Sequence, residues 1–511
     1  MNATPLTQET AREDAFRPDT ARASGANSDS RVRPYGGPRL RPDARPRSRP
    51  RLVVPPRVGF WFVALAFASL MAFGTAPTPL WPLYQDRDGF GATTVTLAFA
   101  IMVVGAAAGF LGLGHLSDRF GRRRVIVPAL LVDVVAASVL ALSPALPVLL
   151  AARLLTGLAV GMMASTATAY LMDLWHQAHP GRPLSPTPGL VAAVANLGGL
   201  AVGPLLVGVL AQWFGAPLVT PYVLFGGGML VLLALILLTP ETVDRARAKE
   251  ARPARFALRP GARPVFVAAA AGGFFAFAAS GIFSALGAII VRLDLGITSP
   301  LVAGLAAFAV FGASAGAQLL LGRLPVDRLL KLGAVLFPVG LGLTALTLYV
   351  PTLALFLAAA VLTGSGSGLL FKASVGQTAA AAEPSSRAGV LAVFFTTAYV
   401  GMGAPSVLFA VVAAQFGRQP VMIAFAVLLS VGSAVAAWVG VRAARSTRTG
   451  DVTSTRNGDA TGTRNGDATA GHLEVEYLEA EYLEAVRPAV SAAGGPVEPA
   501  GAREPSATLN V

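Results

Sequence analysis

The chain has 511 residues, of which 54% are hydrophobic and only 13% are charged. Soluble domains have about 25% charged residues, so this composition is typical of an integral membrane protein. The net charge of +13 does not indicate nucleic-acid binding, because the chain lacks a compact basic domain with interleaved aromatic residues. The absence of cysteine excludes disulfides, thiolate metal sites and cysteine nucleophiles.

The first 57 residues are rich in Arg and Pro and contain no apolar core. They do not have the pattern of a signal peptide, and we expect a disordered cytoplasmic arm over residues 1–57. Two interpretations of this arm are open. It is either a solvated tail, including one that results from a misassigned start site, or a segment that binds anionic lipid.

Twelve segments have the roughly 20 mainly apolar residues that a helix needs to cross a bilayer. They lie near 59–83, 94–116, 123–143, 147–171, 189–213, 219–239, 265–291, 300–322, 328–350, 352–372, 388–414 and 419–441. Six spans, a cytoplasmic linker over 241–263 and six more spans predict two halves, 58–240 and 264–443. The polar, repetitive residues 444–511 predict a disordered cytoplasmic tail.

Basic residues concentrate in the tails and in alternate loops. If both termini face the cytoplasm, 36 of the 40 Lys and Arg lie inside, three lie outside and Arg153 lies within a span. Because cytoplasmic loops are enriched in Lys and Arg, we expect both termini in the cytoplasm of a multi-pass protein of the cell membrane.

The loop GHLSDRFGRRR, residues 114–124, places six ionisable side chains between two apolar runs. A weaker copy, GRLPVDRLLK, follows the eighth predicted span. The sequence AQWFG at 211–215 also returns as AQFG at 414–417. Such matches at corresponding positions favour a duplicated half, and so an all-α fold of two pseudo-symmetric six-helix halves.

This loop resembles the signature of the major facilitator superfamily, and the resemblance extends over residues 58–443. The match runs through Gly114, Leu116, Ser117, Asp118, Arg119, Gly121, Arg122 and Arg123. The resemblance implies that the aspartate pairs with arginine and with the start of the eleventh helix, latching the two halves. That start would be 385–389, where a serine can cap the helix. Alternatively, the arginines only anchor the loop on one side of the membrane.

The fourth span contains RLLTGLAVG, which resembles the arginine motif of the same family. It places Arg153, Gly157 and Gly161 on one helix face. A charge inside a span costs about 3 kcal/mol or more unless it is paired, so Arg153 needs a partner or a hydrated cavity. Asp133 in the third span lies where antiparallel packing can bring the two together. The aspartate is then either a proton carrier or one member of a permanent ion pair.

The fifth span contains GLAVGPLLVG, similar to the glycine-proline motif of the antiporter branch of this family. Its residues are Gly199, Gly203, Pro204 and Gly208. Either the segment bends during transport or the small residues only allow close packing. The first span ends in APTPLWPLY, which is similar to drug exporters but lacks the membrane-embedded acid that some of them carry there.

Substrate contacts are harder to predict. Asn196 and Gln318 lie at mid-span and are candidate polar groups in a central cavity. An apolar cavity with few fixed charges suits small hydrophobic or weakly cationic compounds. No catalytic, metal or cofactor pattern is found. The sequence TGSGSG at 363–368 lacks the Lys-Ser/Thr of a phosphate loop and predicts a packing or hinge segment.

The leading hypothesis is a monomeric, proton-driven exporter that works by alternating access, with a small-molecule substrate, protons and lipid as its partners. One alternative is a metabolite symporter or uniporter of the same fold. A second alternative, from another class, is a membrane sensor or assembly factor that does not transport.

Overall fold

A computed structural model describes residues 53–113, 116–181, 185–243 and 256–458, and its side chains up to residue 443 except that of Asp118. Twelve helices in these ranges are long and apolar enough to cross a bilayer, which confirms the predicted number. They are α1 (Pro56–Asp88), α2 (Ala92–Leu113), α3 (Arg122–Leu142), α4 (Leu146–Ala178), α5 (Thr187–Trp213), α6 (Thr220–Leu237), α7 (Arg263–Leu293), α8 (Pro300–Leu321), α9 (Val326–Thr347), α10 (Leu353–Ala381), α11 (Pro384–Phe416) and α12 (Arg418–Ala443).

Several helices are longer than the apolar segments that predicted them. Helices α4 and α10 continue two turns or more beyond the predicted ends near 171 and 372. Helix α12 continues without a break to Gly458. An apolar window measures only the thickness of the hydrocarbon core, whereas helical hydrogen bonding continues wherever the sequence allows it.

Two spanning helices are interrupted. In α1, a regular helix over Pro56–Thr75 is followed by a 3-10 turn and a second helix over Trp81–Asp88. Pro77 and Pro79 explain the interruption, because proline has no N–H to donate to the preceding turn. In α5, a π-helical turn over Val194–Gly198 separates two α-helical parts.

Matching glycine contacts support the duplication of the two halves. In the first half, Gly157 and Gly161 of α4 lie directly against the backbone of α2. In the second half, Gly364 and Gly368 of α10 lie in the same way against α8. The segment TGSGSG is therefore a close-packing segment, because a side chain at either glycine would collide with the neighbouring backbone.

The two halves meet chiefly through α2 against α11 and α5 against α8. These contacts correspond to each other under the duplication, since α2 matches α8 and α5 matches α11. We call the end of the bundle with residues 116–122 and 239–243 the motif face. The opposite end, with residues 89–91 and 294–299, is the far face.

Candidate functional site

Arg153 is fully enclosed by protein, and its partner is a backbone carbonyl of α1. Its Nη2 donates to the carbonyl oxygen of Gly74 at 2.8 Å and approaches Sδ of Met102 at 2.7 Å. Gly74 belongs to the last turn before the break in α1, where carbonyl oxygens lack a helical partner and the helix dipole is negative. The proline-rich end of α1 thus creates the acceptor that holds the arginine.

Asp133 is also completely buried, but it does not form the ion pair that one interpretation of the sequence required. Among the described residues, neither of its carboxylate oxygens has a hydrogen-bond partner. The guanidinium of Arg153 attracts it electrostatically, and the hydroxyl of Thr156, which has no other hydrogen-bond partner among the described residues, lies close to the carboxylate without forming a hydrogen bond of good geometry. The structure therefore brings Asp133 and Arg153 into one cluster while directing the guanidinium towards Gly74.

Two tyrosines that the sequence analysis did not select complete this cluster. The hydroxyls of Tyr84 in α1 and Tyr222 in α6 form a buried hydrogen bond of 3.0 Å, and both interact electrostatically with Arg153. Tyr84 belongs to the quoted APTPLWPLY, so a polar group within that motif was the available signal. Tyr222 had no comparable signal, since it lies 138 residues away in the chain.

The glycine-proline motif of α5 packs against α1. Gly199 and Gly203 lie against the carbonyl groups of Ala68 and Ala72, so neither position has space for a Cβ atom. The third glycine, Gly208, contacts α8 of the other half. These glycines therefore pack closely against α1 and α8 in the described structure, while the role of the motif in transport stays a prediction.

Pro204 also changes the hydrogen bonding of α5. Proline cannot donate to the carbonyl four residues earlier, which leaves the oxygen of Leu200 without its helical partner. The hydroxyl of Thr75 in α1 donates to this oxygen at 2.9 Å.

The loop motif joins the ends of several helices at the motif face. Arg122 donates from Nε to Asp173 of α4 at 3.2 Å and from Nη1 to the hydroxyl of Ser117 at 2.9 Å. Its backbone N–H donates to Glu241 at 2.8 Å, and the hydroxyl of Thr242 also donates to Asp173. Arg122 therefore ties the segment that follows α6 to α4.

Of the other motif residues, some contact neighbouring helices and some are exposed. Arg123 donates from Nη1 to the carbonyl oxygens of Leu237 and Thr239 at the end of α6. Arg119 is exposed, and its guanidinium lies over the ring of Phe120. Leu116 begins the short helix of the loop.

Glycine is required at position 121 for two reasons. Gly121 has a φ of +114°, and a Cβ there would collide with the Glu241 carboxylate. Gly114 and the side chain of Asp118 lie outside the described residues, so the latch stays a prediction. Near the start of α11, Ser386 precedes the regular helix and its side chain makes no capping hydrogen bond.

The two candidate cavity residues are placed in different surroundings. Asn196 lies in the π-helical turn of α5, and its Oδ1 is buried with no hydrogen-bond partner among the described residues. Gln318 is buried in α8, and its backbone carbonyl accepts a hydrogen bond from Lys372 of α10 at 3.4 Å. The lysine thus donates to a carbonyl group of the last turn of α8, where the helix offers no N–H partner.

Six aromatic rings, which we call the ring cluster, lie at the contact between the halves. They are Phe110 of α2, Phe277 of α7, Phe371 of α10, and Phe394, Phe395 and Tyr399 of α11. Phe110 stacks on Phe395 with 5.6 Å between ring centroids, so one half contributes a ring to a surface built by the other.

At the far face, charged and polar pairs join the two halves. Arg292 at the end of α7 holds Asp86 of α1 through two contacts of 2.8 Å, and it also donates to the carbonyl of Pro82. Ser299 before α8 donates to Gln212 of α5 at 2.8 Å.

At the far face, the pKa of one carboxyl group outside the spans, that of Asp294, is shifted. Burial raises the pKa of Asp294, and the guanidinium of Arg418 at 2.9 Å opposes this shift. Within the described part of the chain, no group of three His, Asp or Glu residues could hold a metal ion.

Comparison with curated proteins finds relatives among transporters of several kinds. A glucose transporter, GlcP, of Staphylococcus epidermidis is 36% identical over 93 residues, or 18% of this chain and 21% of that protein. A multi-drug resistance efflux pump PmrA homolog of Lactococcus lactis is 30% identical over 183 residues, or 35% and 41%. A chloramphenicol resistance protein of Pseudomonas aeruginosa is 31% identical over 137 residues, or 27% and 32%. The matched segments thus span less than half of each of these relatives.

Solved structures of transporters share the fold. The human organic anion transporter MFSD10 aligns with a TM-score of 0.56 and 17% identity, over 75% of this chain and 100% of that one. A bacterial homologue of the human lysosomal transporter Spinster aligns with a TM-score of 0.58 and 14% identity, over 78% and 99%. A family model of the Major Facilitator Superfamily matches residues 60–329, more than half of the chain. The chain therefore belongs to the major facilitator superfamily.

Proposed function

We propose that the protein is a proton-coupled exporter of small hydrophobic or weakly cationic compounds. The observation that carries this proposal is Asp133, a fully buried acid whose carboxylate has no ion-pair partner and no hydrogen bond of good geometry among the described residues, with the Thr156 hydroxyl close to it. A proton carrier needs an acid that can be held neutral in one state and ionised in another. A permanently paired aspartate would not serve.

The neighbouring contacts suggest how the protonation of Asp133 follows the conformation. An isolated carboxylate in such surroundings costs several kcal/mol, so the neutral acid is favoured in the described state. Arg153 is held by the end of α1 through Gly74. If rocking of the halves moves that end, the guanidinium is free to turn to Asp133 and stabilise its ionised form. Proton release is then linked to the change of access.

The ring cluster supports an apolar substrate. It lies where α2 of one half meets α7, α10 and α11 of the other, so alternating access would open and close it. Aromatic rings offer apolar contact and an attractive face to cations, but few hydrogen bonds. Sugars require many polar partners to leave water, which this surface does not provide.

The direction of transport is proposed from the relatives and from the assigned orientation of the chain. The names of two relatives describe multi-drug efflux and chloramphenicol resistance, whereas GlcP and an arabinose-proton symporter of Bacillus subtilis favour the alternative of metabolite uptake. From the charge distribution we assign the motif face and both termini to the cytoplasmic side of the cell membrane. We assign the moving units to 58–240 and 264–443, in a monomer.

Purified protein in liposomes that contain a pH-sensitive dye tests the proposal. Hydrophobic cations and chloramphenicol should produce substrate-dependent proton flux, and glucose and arabinose should not. Asp133→Asn should abolish the flux while substrate binding remains. Asp88→Asn, an exposed acid at the end of α1, is the matched control and should keep the flux.

Three results would count against this function. Normal flux in Asp133→Asn protein removes the aspartate from proton coupling. If the proton flux responds to sugars and not to hydrophobic compounds, metabolite symport replaces export as the function. No coupled flux with any compound of the panel excludes antiport of these substrates.

A further inference from the structure

A cavity of about 660 Å³ lies at the motif face, between the start of α1 and the end of α4. We call it the α1–α4 pocket. Its wall includes Arg57, Phe60, Trp61, Trp175, His179 and Gly181. It is separate from the Asp133 cluster and from the ring cluster, and the transport cycle proposed above does not use it.

Two groups of this pocket are hydrogen-bond donors. Arg57 is exposed and forms no ion pair with any other described residue. The indole N–H of Trp175 is buried and has no acceptor in the described part of the chain. His179 stacks on Trp175 at 4.1 Å between ring centroids, and its Nδ1 lies 3.2 Å from the Trp175 carbonyl oxygen, so the neutral ring presents Nε2 as an acceptor. Among the described residues no acidic side chain lines the pocket and Arg57 supplies a positive charge, so the ligand it suits is an anion.

The position of the pocket indicates where this anion comes from. Both helices that form it end there, so it lies at the level where a bilayer passes from hydrocarbon to headgroups. Trp61 is 62% exposed about one turn inside α1, as expected for a tryptophan at the membrane interface. The next exposed side chain along this face is Leu65, which continues an apolar surface towards the membrane interior.

We propose that the α1–α4 pocket binds the phosphate headgroup of an anionic phospholipid. Arg57 and the Trp175 indole N–H contact the headgroup, and the acyl chains follow the exposed face of α1 past Trp61. Basic pockets between spanning helices at this level are suited to such headgroups, because the cation and the donors replace the water lost from the phosphate.

Native mass spectrometry of the full chain in detergent tests the site by comparing the first bound molecule of dioleoyl-phosphatidylglycerol with that of dioleoyl-phosphatidylcholine. One basic residue near a lipid surface contributes about 1 kcal/mol, so we expect a preference for the anionic lipid of about fivefold or more. Arg57→Gln should remove most of this preference. Trp175→Phe, which keeps a ring and removes the N–H, should reduce it.

Arg263→Gln is the matched control, since Arg263 is also exposed and begins α7 as Arg57 begins α1. It should retain the native preference. Three results would overturn the proposal: equal binding of the two lipids by the native chain, an equal loss in Arg263→Gln, or displacement of the lipid by millimolar glycerol 1-phosphate. The last result would identify a site for soluble phosphates. A melting temperature for each variant separates lost binding from lost folding.

Discussion

Thr75 and Leu200 are joined across the first half by a hydrogen bond that exists because of a proline. The hydroxyl of Thr75 donates to the Leu200 carbonyl oxygen at 2.9 Å, at the place where Pro204 cannot. Both residues are buried, so an unpaired carbonyl there would not be solvated by water. The threonine at position 75 therefore compensates for the proline at position 204.

This link predicts a dependence between two substitutions. Thr75→Val keeps the shape of the side chain and leaves the carbonyl unpaired, so it should lower the free energy of unfolding by about 1–3 kcal/mol. With Pro204→Ala present, residue 204 regains its N–H and the effect of Thr75→Val should shrink to a few tenths of a kcal/mol. A double-mutant cycle measured by unfolding in mixed micelles checks this. Additive effects would show that the hydrogen bond does not depend on the proline.

Much of the fold could be predicted from the sequence, because the bilayer imposes a strong constraint on it. Each span must satisfy its own backbone hydrogen bonds, so the count of twelve follows from apolar length alone. Helix ends were less predictable, since α4 and α10 continue through residues that an apolar window excludes. Ser386 makes no capping hydrogen bond at the start of α11, because residue type alone does not determine side-chain direction.

The candidate site could be predicted only in part. Asp133 and Arg153 were found because charge is rare within spans. The partner of the arginine could not be foreseen, because it is the Gly74 carbonyl and every residue has one. The pairing of Tyr84 with Tyr222 depends on contacts between helices, which a single sequence does not specify.

The contact between Arg292 and Asp86 predicts a bias between conformational states. It joins the two halves at the far face, so Asp86→Asn should favour opening there. Because both side chains are partly exposed, we expect a shift of only about two- to fivefold in the ratio of states. The chain has no cysteine, so spin labels at Leu142→Cys and Val350→Cys can report the distance between the halves across this face.

Asp88→Asn is the matched control for this measurement. It makes the same change of charge in the same part of α1, but Asp88 lies near Arg87 of its own helix, at 3.8 Å. Its distance distribution should match that of the parent protein. If both variants open equally, net charge and not the Arg292 contact sets the ratio of states.

The pKa of Asp294 predicts a dependence of stability on pH. Burial raises this pKa above its ordinary value of 3.8 even though Arg418 lies close. The folded chain then holds a proton that the unfolded chain has released, so stability falls as pH rises from about 3.8 through the raised pKa. Asp294→Asn should flatten this part of the curve, and Arg418→Gln should extend the fall to higher pH.

Thermal unfolding in detergent between about pH 4 and pH 7 measures these curves. A native slope that persists in Asp294→Asn protein would assign the pH dependence to other groups. An unchanged curve in Arg418→Gln protein would show that the guanidinium does not stabilise the ionised carboxyl.

The three consecutive arginines of the loop motif separate a gating role from a purely topological one. Arg122 contacts Asp173 and Ser117, and Arg123 contacts carbonyl oxygens at the end of α6. Arg124 is exposed and makes no such contact within the described residues. All three contribute equally to the positive charge of the loop, so an anchor that depends on charge alone would not distinguish them.

We expect Arg122→Gln and Arg123→Gln each to lower the rate of transport about tenfold or more, because charge-assisted hydrogen bonds that join helix ends are lost. Arg124→Gln should transport at the parent rate. Asp118→Ala should also impair transport while membrane insertion is unaffected. Initial rates in liposomes, normalised to inserted protein, give the comparison. Equal effects of the three arginine substitutions, together with normal transport by Asp118→Ala, would reduce the motif to an anchor that only sets topology.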